Sequence, residues 1–259
     1  MAEELALITG ASSGIGAELA RQHAAAGGNV ILVARRKDRL ESLAAELADA
    51  HGTESTIIAK DLSVCGAAEQ LYDEIKAKGL QVDYLINNAG FGGHGFFHER
   101  SLEDETQMIH LNILALMTLT KLYLPEMLER NSGRILNVGS TAGFMPGPLQ
   151  AVYYATKAFV NSFTEAVANE ISHSKVTATA LCPGPTESGF AERGNLDGVA
   201  VFKLGTVPSS SVAAYGYKSM LRGDRIAVHG MSNKFLVSTG LRMLPRGVTL
   251  KISRSMMEK

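Results

Sequence analysis

Tyr153 and Lys157 stand four residues apart in an apolar-periodic stretch, Ala151 to Ile171. At helical spacing they project from one face, one turn apart. A phenol with an unperturbed pKa near 10 is a poor acid or base at neutral pH, but a cation held beside it favours the phenolate. Tyr154, three residues before Lys157, meets the same helical criterion, so spacing leaves both tyrosines open. Ser140 closes the segment Arg134-Ile-Leu-Asn-Val-Gly-Ser140 at the carboxyl end of a predicted central strand. Its hydroxyl could hydrogen-bond a carbonyl and stabilise negative charge developing on that oxygen. A nucleophilic role is set aside, because no G-x-S-x-G elbow surrounds Ser140 and no histidine stands in a persuasive triad order.

A second constellation lies near the amino terminus. Thr9-Gly10-Ala11-Ser12-Ser13-Gly14-Ile15-Gly16 follows the first strand and opens the first helix. Glycines there allow a tight turn and a close approach of backbone to phosphate, while free N–H groups and the helix dipole favour negative charge. A dinucleotide pyrophosphate is the expected ligand, with Ser12, Ser13 and Ile15 as neighbours. The second strand ends at Ala34 without the carboxylate that would bind an NAD ribose, and Arg35, Arg36 and Lys37 follow. A guanidinium there suits the 2′-phosphate of NADP(H), with Arg35 preferred and Arg36 or Lys37 as helpers. Asp61, with Leu62 beside it, follows the third strand. Its carboxylate could accept from an adenine amino group or cap the following helix, a task Ser63 serves as well.

The elements that must position these residues follow from hydrophobic period. Short aliphatic runs at Leu5 to Thr9, Asn29 to Ala34, Ser55 to Lys60, Tyr84 to Asn87, Arg134 to Val138, Val176 to Leu181 and Arg225 to Val228 read as strands. Between them, helical period runs through Ile15 to Ala26, Asp38 to Ala50, Ala67 to Lys78, Leu102 to Leu128, Ala151 to Ile171 and Ser210 to Leu221. This alternation predicts one α/β domain over residues 1–259: a doubly wound, Rossmann-like, parallel seven-stranded sheet in three α/β/α layers. The Gly-, Pro- and Ser-rich segment from Pro183 to Pro208 is the candidate substrate lid.

Composition narrows the classes. A net charge of −1 over 259 residues argues against wholesale nucleic-acid binding. Two cysteines, Cys65 and Cys182, make no disulfide framework and no metal-ligand spacing, which points to a reducing compartment. Met1, Glu3 and Glu4 lead into the first strand with no basic or long apolar leader, and a cytoplasmic location is expected. From Asn233 onward Lys234, Arg242, Arg246, Lys251, Arg254 and Lys259 face one acid, Glu258, whereas the remainder holds 19 basic and 25 acidic residues. A C-terminal helix with a solvated basic face is the preferred reading, contact with an anionic membrane the alternative.

The chain resembles a short-chain dehydrogenase/reductase of the compact single-domain type, from Leu5 to His229. TGASSGIG at Thr9 to Gly16, NNAG at Asn87 to Gly90, Asn112, Ser140, YYATK at Tyr153 to Lys157, and Pro183-Gly184 carry the likeness. The family's tyrosine lies thirteen residues after its serine, which selects Tyr153 over Tyr154. The resemblance implies that Tyr153 is the general acid-base, that Lys157 binds the nicotinamide ribose and lowers the tyrosine pKa, and that Ser140 orients the substrate. It further implies that Asn112 supports a proton relay and that Asn88, Ala89 and Gly90 lie along the cofactor. The family's hydroxyl beyond the Pro-Gly pair falls on Ser188, with Thr186 nearby. A hydride transfer between nicotinamide and a small carbonyl or alcohol substrate follows, with a homodimer or homotetramer as the usual assembly.

Rival readings are a non-catalytic NADP-binding regulator and a serine hydrolase. His94, His98 and His110 crowd a short span, yet no second cluster completes a metal site, and none is expected. His94 is instead a candidate for the substrate mouth. Phe144, Met145, Phe190 and Phe202 are candidates for an apolar wall.

Overall fold

The computed structural model describes residues 4–259 apart from Asp197 and Leu204, and leaves the side chains of Glu192, Arg193, Phe202 and Arg242 undescribed. The readings placed on Glu3, the Phe202 ring and the Arg242 charge lie outside the described residues. In chain order the elements begin β1 (Leu5–Thr9), α1 (Gly14–Ala25), β2 (Asn29–Ala34), α2 (Lys37–His51), β3 (Ser55–Ala59), α3 (Ala67–Ala77) and β4 (Tyr84–Asn87). They continue with α4 (Leu102–Ile109), α5 (Leu116–Glu129), β5 (Arg134–Val138), α6 (Ala151–Glu170), β6 (Thr177–Cys182), β7 (Thr186–Glu187), α7 (Phe190–Arg193) and α8 (Ala200–Lys203). The last are β8 (Val207–Pro208), α9 (Ser209–Arg222), β9 (Ile226–Val228), α10 (Met231–Phe235), α11 (Leu241–Met243) and α12 (Arg246–Met257).

Seven strands form one parallel sheet in the order β3-β2-β1-β4-β5-β6-β9, so the winding reverses between β1 and β4. Alternate side chains of each strand enter different cores. Leu7, Ile31, Val33, Leu85 and Ile135 pack toward α3, α5 and α6. Their neighbours Ala6, Ile8, Val30, Leu32, Ile86 and Leu136 pack toward α1, α2 and α9. Both faces are therefore covered, as a parallel sheet requires, and each fully buried Leu or Ile contributes about 1.5–3 kcal/mol.

Three features depart from the reading by period. The long apolar helix is not uniform: residues His110–Ala115 form a π-helical turn between α4 and α5. The whole run, residues 102–129, is long and apolar enough by composition to cross a membrane, yet here Met108, Leu111, Leu119, Tyr123 and Met127 pack on the sheet. Second, the expected lid is tied at its base by a short parallel ladder, Thr186 with Val207 and Glu187 with Pro208. Third, the tail is not one solvated helix. It breaks at a π turn, Leu236–Gly240, and at Pro245, and α12 then buries Thr249, Ser253 and Met257 against the domain. Strand edges otherwise differ by one residue from expectation at β3, β6 and β9.

The seam between β1 and β4 leaves no slack. The Thr9 hydroxyl accepts the N–H groups of Asn88 and Ala89, both at 3.0 Å, and donates to Ile86 O at 3.4 Å. Behind it, a Cβ placed on Gly16 would overlap both the Gly10 carbonyl oxygen and the Asn88 amide. Backbone cannot yield there as a side chain can. Gly16→Ala is expected to cost on the order of 3 kcal/mol, lowering Tm by roughly 6–12 °C; thermal unfolding that matches the wild type would refute the close approach.

Candidate active site

One cleft runs along the carboxyl ends of the strands at the winding reversal, where open α/β sheets bind ligands. Its volume is ≈ 590 Å³. At its centre, Gly10, Ser12, Ser13, Gly14 and Ile15 line one wall and Asn88, Ala89 and Gly90 the other. The Asn88 side chain donates to Thr9 O at 2.9 Å and Gly10 O at 3.2 Å, so it braces the glycine turn. Ser13 stands at the α1 N-cap without a side-chain cap bond. The uncapped helix start and the glycine turn suit a dinucleotide pyrophosphate. Gly16, expected at the cofactor, lies behind the turn and serves helix packing instead.

At one end of the cleft sit Arg35, Arg36, Lys60, Asp61 and Leu62. Arg36, ranked second on sequence grounds, reaches the turn: its Nη2 donates to Ser13 Oγ at 3.1 Å and Ser12 Oγ at 3.2 Å. Arg35 pairs with Asp61 at 3.6 Å, both half-exposed. Asp61 also accepts from the Ser63 N–H and hydroxyl at 2.9 and 2.7 Å. Burial pushes the Asp61 pKa up, but the Ser63 bonds and then Arg35 outweigh it and hold the carboxyl below its usual range. Neither Asp61 nor Ser63 caps a helix, since α3 starts later, behind Gly66. Lys37 turns to Glu41 at 3.3 Å.

The candidate reacting groups meet where α6 crosses the end of β5. Ser140, Tyr153 and Lys157 are all buried and all line the cleft. Lys157 Nζ donates to Val138 O at 2.7 Å and lies 5.9 Å from the Tyr153 ring centroid. Burial lowers the Lys157 pKa to about 8, against a smaller opposing effect of Cys182. Burial raises Tyr153 above the ordinary phenol range, while Ser140 pulls it down and Tyr154 adds to the rise. The same dry environment disfavours both charges. Tyr154 also lines the cleft, its ring over Gly147, but Ser140 and Lys157 meet Tyr153 rather than Tyr154. The geometry thus separates two tyrosines that helical spacing did not.

Asn112 sits in the π turn and is fully committed. Its Oδ1 accepts from Phe91 N at 3.1 Å, and its Nδ2 donates to Phe91 O at 2.9 Å and Thr156 Oγ1 at 3.1 Å. Thr156 in turn donates to Tyr153 O at 2.7 Å. The Asn112 side chain does not line the cleft, and the expected relay role becomes that of a positioning residue for α6. Pro183, Gly184, Thr186 and Ser188 pass over the glycine turn and line the cleft. The Thr186 hydroxyl donates to Gly184 O at 2.9 Å. Ser188 packs on Gly14, whose φ is +57° and where an added Cβ would come within 2.9 Å of the serine Cβ.

Beyond Tyr153 the cleft becomes apolar, walled by Met145, Tyr154, Phe190, Val201, Leu236, Met256 and Met257. Phe190 lies 5.1 Å from the Tyr153 ring. Met145 and Phe190 stand where expected, but Phe144 packs away, against Ala180, Cys182 and Val228. His94 is not at the mouth; its Nε2 meets Met257 O at 2.7 Å and fastens the end of α12. Among the described residues no three His, Cys, Asp or Glu side chains converge on a metal position. Sequence reasoning missed Gln150 and the tail residues Asn233, Leu236, Met256 and Met257. The 3.6-residue period of α12 was the available signal, although Val248, Leu250 and Ile252 on that helix point outward.

Comparison with known proteins agrees with this geometry. Residues 4–197 match the short chain dehydrogenase family model. The chain is 36% identical to a very-long-chain 3-oxoacyl-CoA reductase of Anas platyrhynchos over 184 residues, 69% of this chain and 58% of that protein. The human protein of the same name is 36% identical over 186 residues, again across 58% of its length. The match thus spans less than two thirds of these relatives. Among solved structures, a short-chain dehydrogenase from Sphingobium yanoikuyae in complex with NADPH superposes with a TM-score of 0.83 at 30% identity, covering 92% of this chain and 93% of that one. With a parallel seven-stranded Rossmann-like sheet and a glycine turn, serine, tyrosine and lysine gathered at its carboxyl edge, the chain belongs to the short-chain dehydrogenase family of oxidoreductases.

Proposed function

We propose that this chain is an NADP(H)-dependent reductase of ketones or aldehydes on apolar, acyl-type substrates. One observation carries the reading: a single cleft joins a pair of arginines, an uncapped helix start, the Ser140–Tyr153–Lys157 group and an apolar chamber in that order. Arg36 beside Ser12 and Ser13, with no carboxylate closing β2, supports a 2′-phosphate at that end. The names of the 3-oxoacyl-CoA reductases and the NADPH complex among the relatives lend support to acyl substrates and to NADPH.

The nicotinamide, when bound, supplies the hydride. The chain's own groups manage the oxygen. Ser140 donates a hydrogen bond to the substrate carbonyl and holds it against Tyr153, whose phenol gives its proton to that oxygen. The raised Tyr153 pKa keeps the phenol protonated at neutral pH, which suits the reductive direction. Lys157, fixed on Val138 O, places a cation beside the phenol to offset the negative charge left on it.

Loss of NADPH absorbance against a panel of ketones, aldehydes and 3-oxoacyl esters, repeated with NADH, tests the reading; a panel without turnover overturns it. Tyr153→Phe is expected to bind NADPH normally and lose about a thousandfold in kcat, and substantial residual turnover would return the role to Tyr154. Replacing Arg35 and Arg36 together by alanine is expected to raise the NADPH KM about tenfold or more, with a much smaller change for NADH. Equal changes with both cofactors would remove the arginines from cofactor choice.

Lys157 also makes a pH prediction. Its folded pKa of about 8 lies below the ordinary 10.5, so between those values the unfolded chain holds more protons and stability rises with pH. Below pH 8 the buried charge costs its full amount. The stability difference between wild type and Lys157→Met is therefore expected to move toward the wild type by about 2 kcal/mol between pH 7 and 9.5. Urea unfolding at the two pH values checks it; a difference that does not move with pH refutes the buried cation.

A further inference from the structure

The tail from Asn233 onward carries six basic residues against one acid, Glu258, whereas the rest of the chain holds 19 basic and 25 acidic residues. Its helices also expose apolar groups and bury polar ones. On α12 Thr249 and Ser253 are buried, while Val248, Leu250 and Ile252 are exposed. By helical period Lys251 stands opposite that buried row, with Val248 and Ile252 on one shoulder and Leu250 with Arg254 on the other. Before α12, Met231, Phe235 and Met243 are 82, 68 and 79% exposed. Six of the thirteen large apolar side chains exposed among the described residues thus fall between Met231 and Ile252. Single exposed apolar residues need no account, but a cluster of this density marks a surface that is covered in use.

The charges on this surface are available. Among the described residues Arg246 and Lys251 make no ion pair, and Lys234 lies over the Tyr215 ring at 5.3 Å. Arg254 takes up Glu258 at 2.9 Å, so the tail's one acid is already paired. A second copy of this chain would bring the same charges to the same surface, as an isologous contact must, and like signs repel. An anionic lipid surface matches both features: negative headgroups for the basic side chains and an acyl boundary for the apolar ones. The acidic remainder of the chain is repelled by such a surface, which turns the tail toward the lipid.

We propose that the outward side of α10 to α12 docks on an anionic membrane surface. The inward side of the same segment supplies Asn233, Leu236, Met256 and Met257 to the cleft. Docking therefore brings the apolar end of the cleft to within one helix diameter, ~10 Å, of the lipid. A substrate with an acyl chain meets apolar side chains at both ends of that distance. The proposal goes beyond the reductase reading and does not depend on it, because lipid binding is measured without substrate or cofactor.

The test is cosedimentation of the full chain with vesicles of phosphatidylcholine, alone or with about 30% phosphatidylglycerol, in ~0.1 M and ~0.5 M salt. Binding to the anionic vesicles is expected to be about tenfold or more tighter than to the neutral ones, and to weaken by a similar factor in the higher salt. Arg246→Glu with Lys251→Glu, and separately Phe235→Ser with Ile252→Ser, are each expected to weaken it about tenfold or more. All four positions are exposed, so each variant keeps the wild-type Tm and a loss of binding reports the surface. Wild-type protein that stays in solution with the anionic vesicles overturns the proposal, as does binding that neither pair of substitutions weakens. A dimer in sedimentation velocity that Phe235→Ser with Ile252→Ser dissociates, with no binding to vesicles, gives the face to a second copy and overturns it as well.

Discussion

The seating of helix α6 on the end of strand β5 is the constraint on which the site depends. Lys157 Nζ bonds to Val138 O at 2.7 Å, and one turn later Asn161 Nδ2 bonds to Ser140 O at 3.0 Å. From the other side Asn112 holds Thr156, and Thr156 bonds to the Tyr153 carbonyl. A Cβ on Gly143 would overlap the Lys157 carbonyl, so the turn after Ser140 lies directly on the helix. Three residues needed within one carbonyl's reach are thus placed by bonds between side chain and backbone across two elements. The thirteen-residue interval from Ser140 to Tyr153 is the length of chain that leaves the strand, passes one short turn and enters α6. The register of helix on strand then decides which tyrosine meets Ser140 and Lys157.

The same seating sets the electrostatics. Packing α6 this closely dries the chamber, and drying raises the phenol of Tyr153 while lowering the ammonium of Lys157. Both shifts oppose charge, so at rest the site holds a protonated acid beside a weakened cation. Such a pair is poised to give up a proton when negative charge appears on a substrate oxygen, because the attraction of that charge to a fixed cation and donor is screened less in a dry site than in water. The stability that Lys157 forfeits at neutral pH is the cost of that poise.

The fold was legible because its rules are local and repeated. Period-two runs of Val, Ile and Leu separated by 3.6-period segments allow few arrangements, and all seven sheet strands stand within one residue of their expected bounds. That Ser140, Tyr153 and Lys157 gather in one cleft was legible because motif spacing carries geometry. What escaped depends on tertiary packing. Asn112 could not be placed in a π turn from an apolar run that reads as continuous helix. Arg35 is nearer the strand end, but alternation along the chain turns it to Asp61 and leaves Arg36 facing the serines. Helix α12 hid because its amphipathicity is inverted: Thr249, Ser253 and Met257 face the domain, while Val248, Leu250 and Ile252 are among its more exposed residues. Gln150 gave no signal at all, since an unpaired amide is visible only when its surroundings are known.

That pattern of legibility divides the molecule by task. The family match ends at residue 197, and it holds the glycine turn, Ser140, Tyr153 and Lys157. Much of the apolar chamber comes from beyond it: Val201 lies late in the Pro183–Pro208 segment, Leu236 lies in the π turn, and Met256 and Met257 end the last helix. These residues are carried on short helices joined by turns and tied to the body through single bonds such as His94 to Met257 O and Ala200 N to Glu258 O at 2.9 Å. Hydride and proton chemistry demands a fixed geometry, and the groups proposed for it sit on the sheet and α6. Substrate choice demands a wall whose shape can differ from one chain to the next, and a terminal segment can be rebuilt without moving a strand. Gln150 stands at the join, just before the helix that bears Tyr153 and in the lining of the same cleft as the tail's Met256 and Met257.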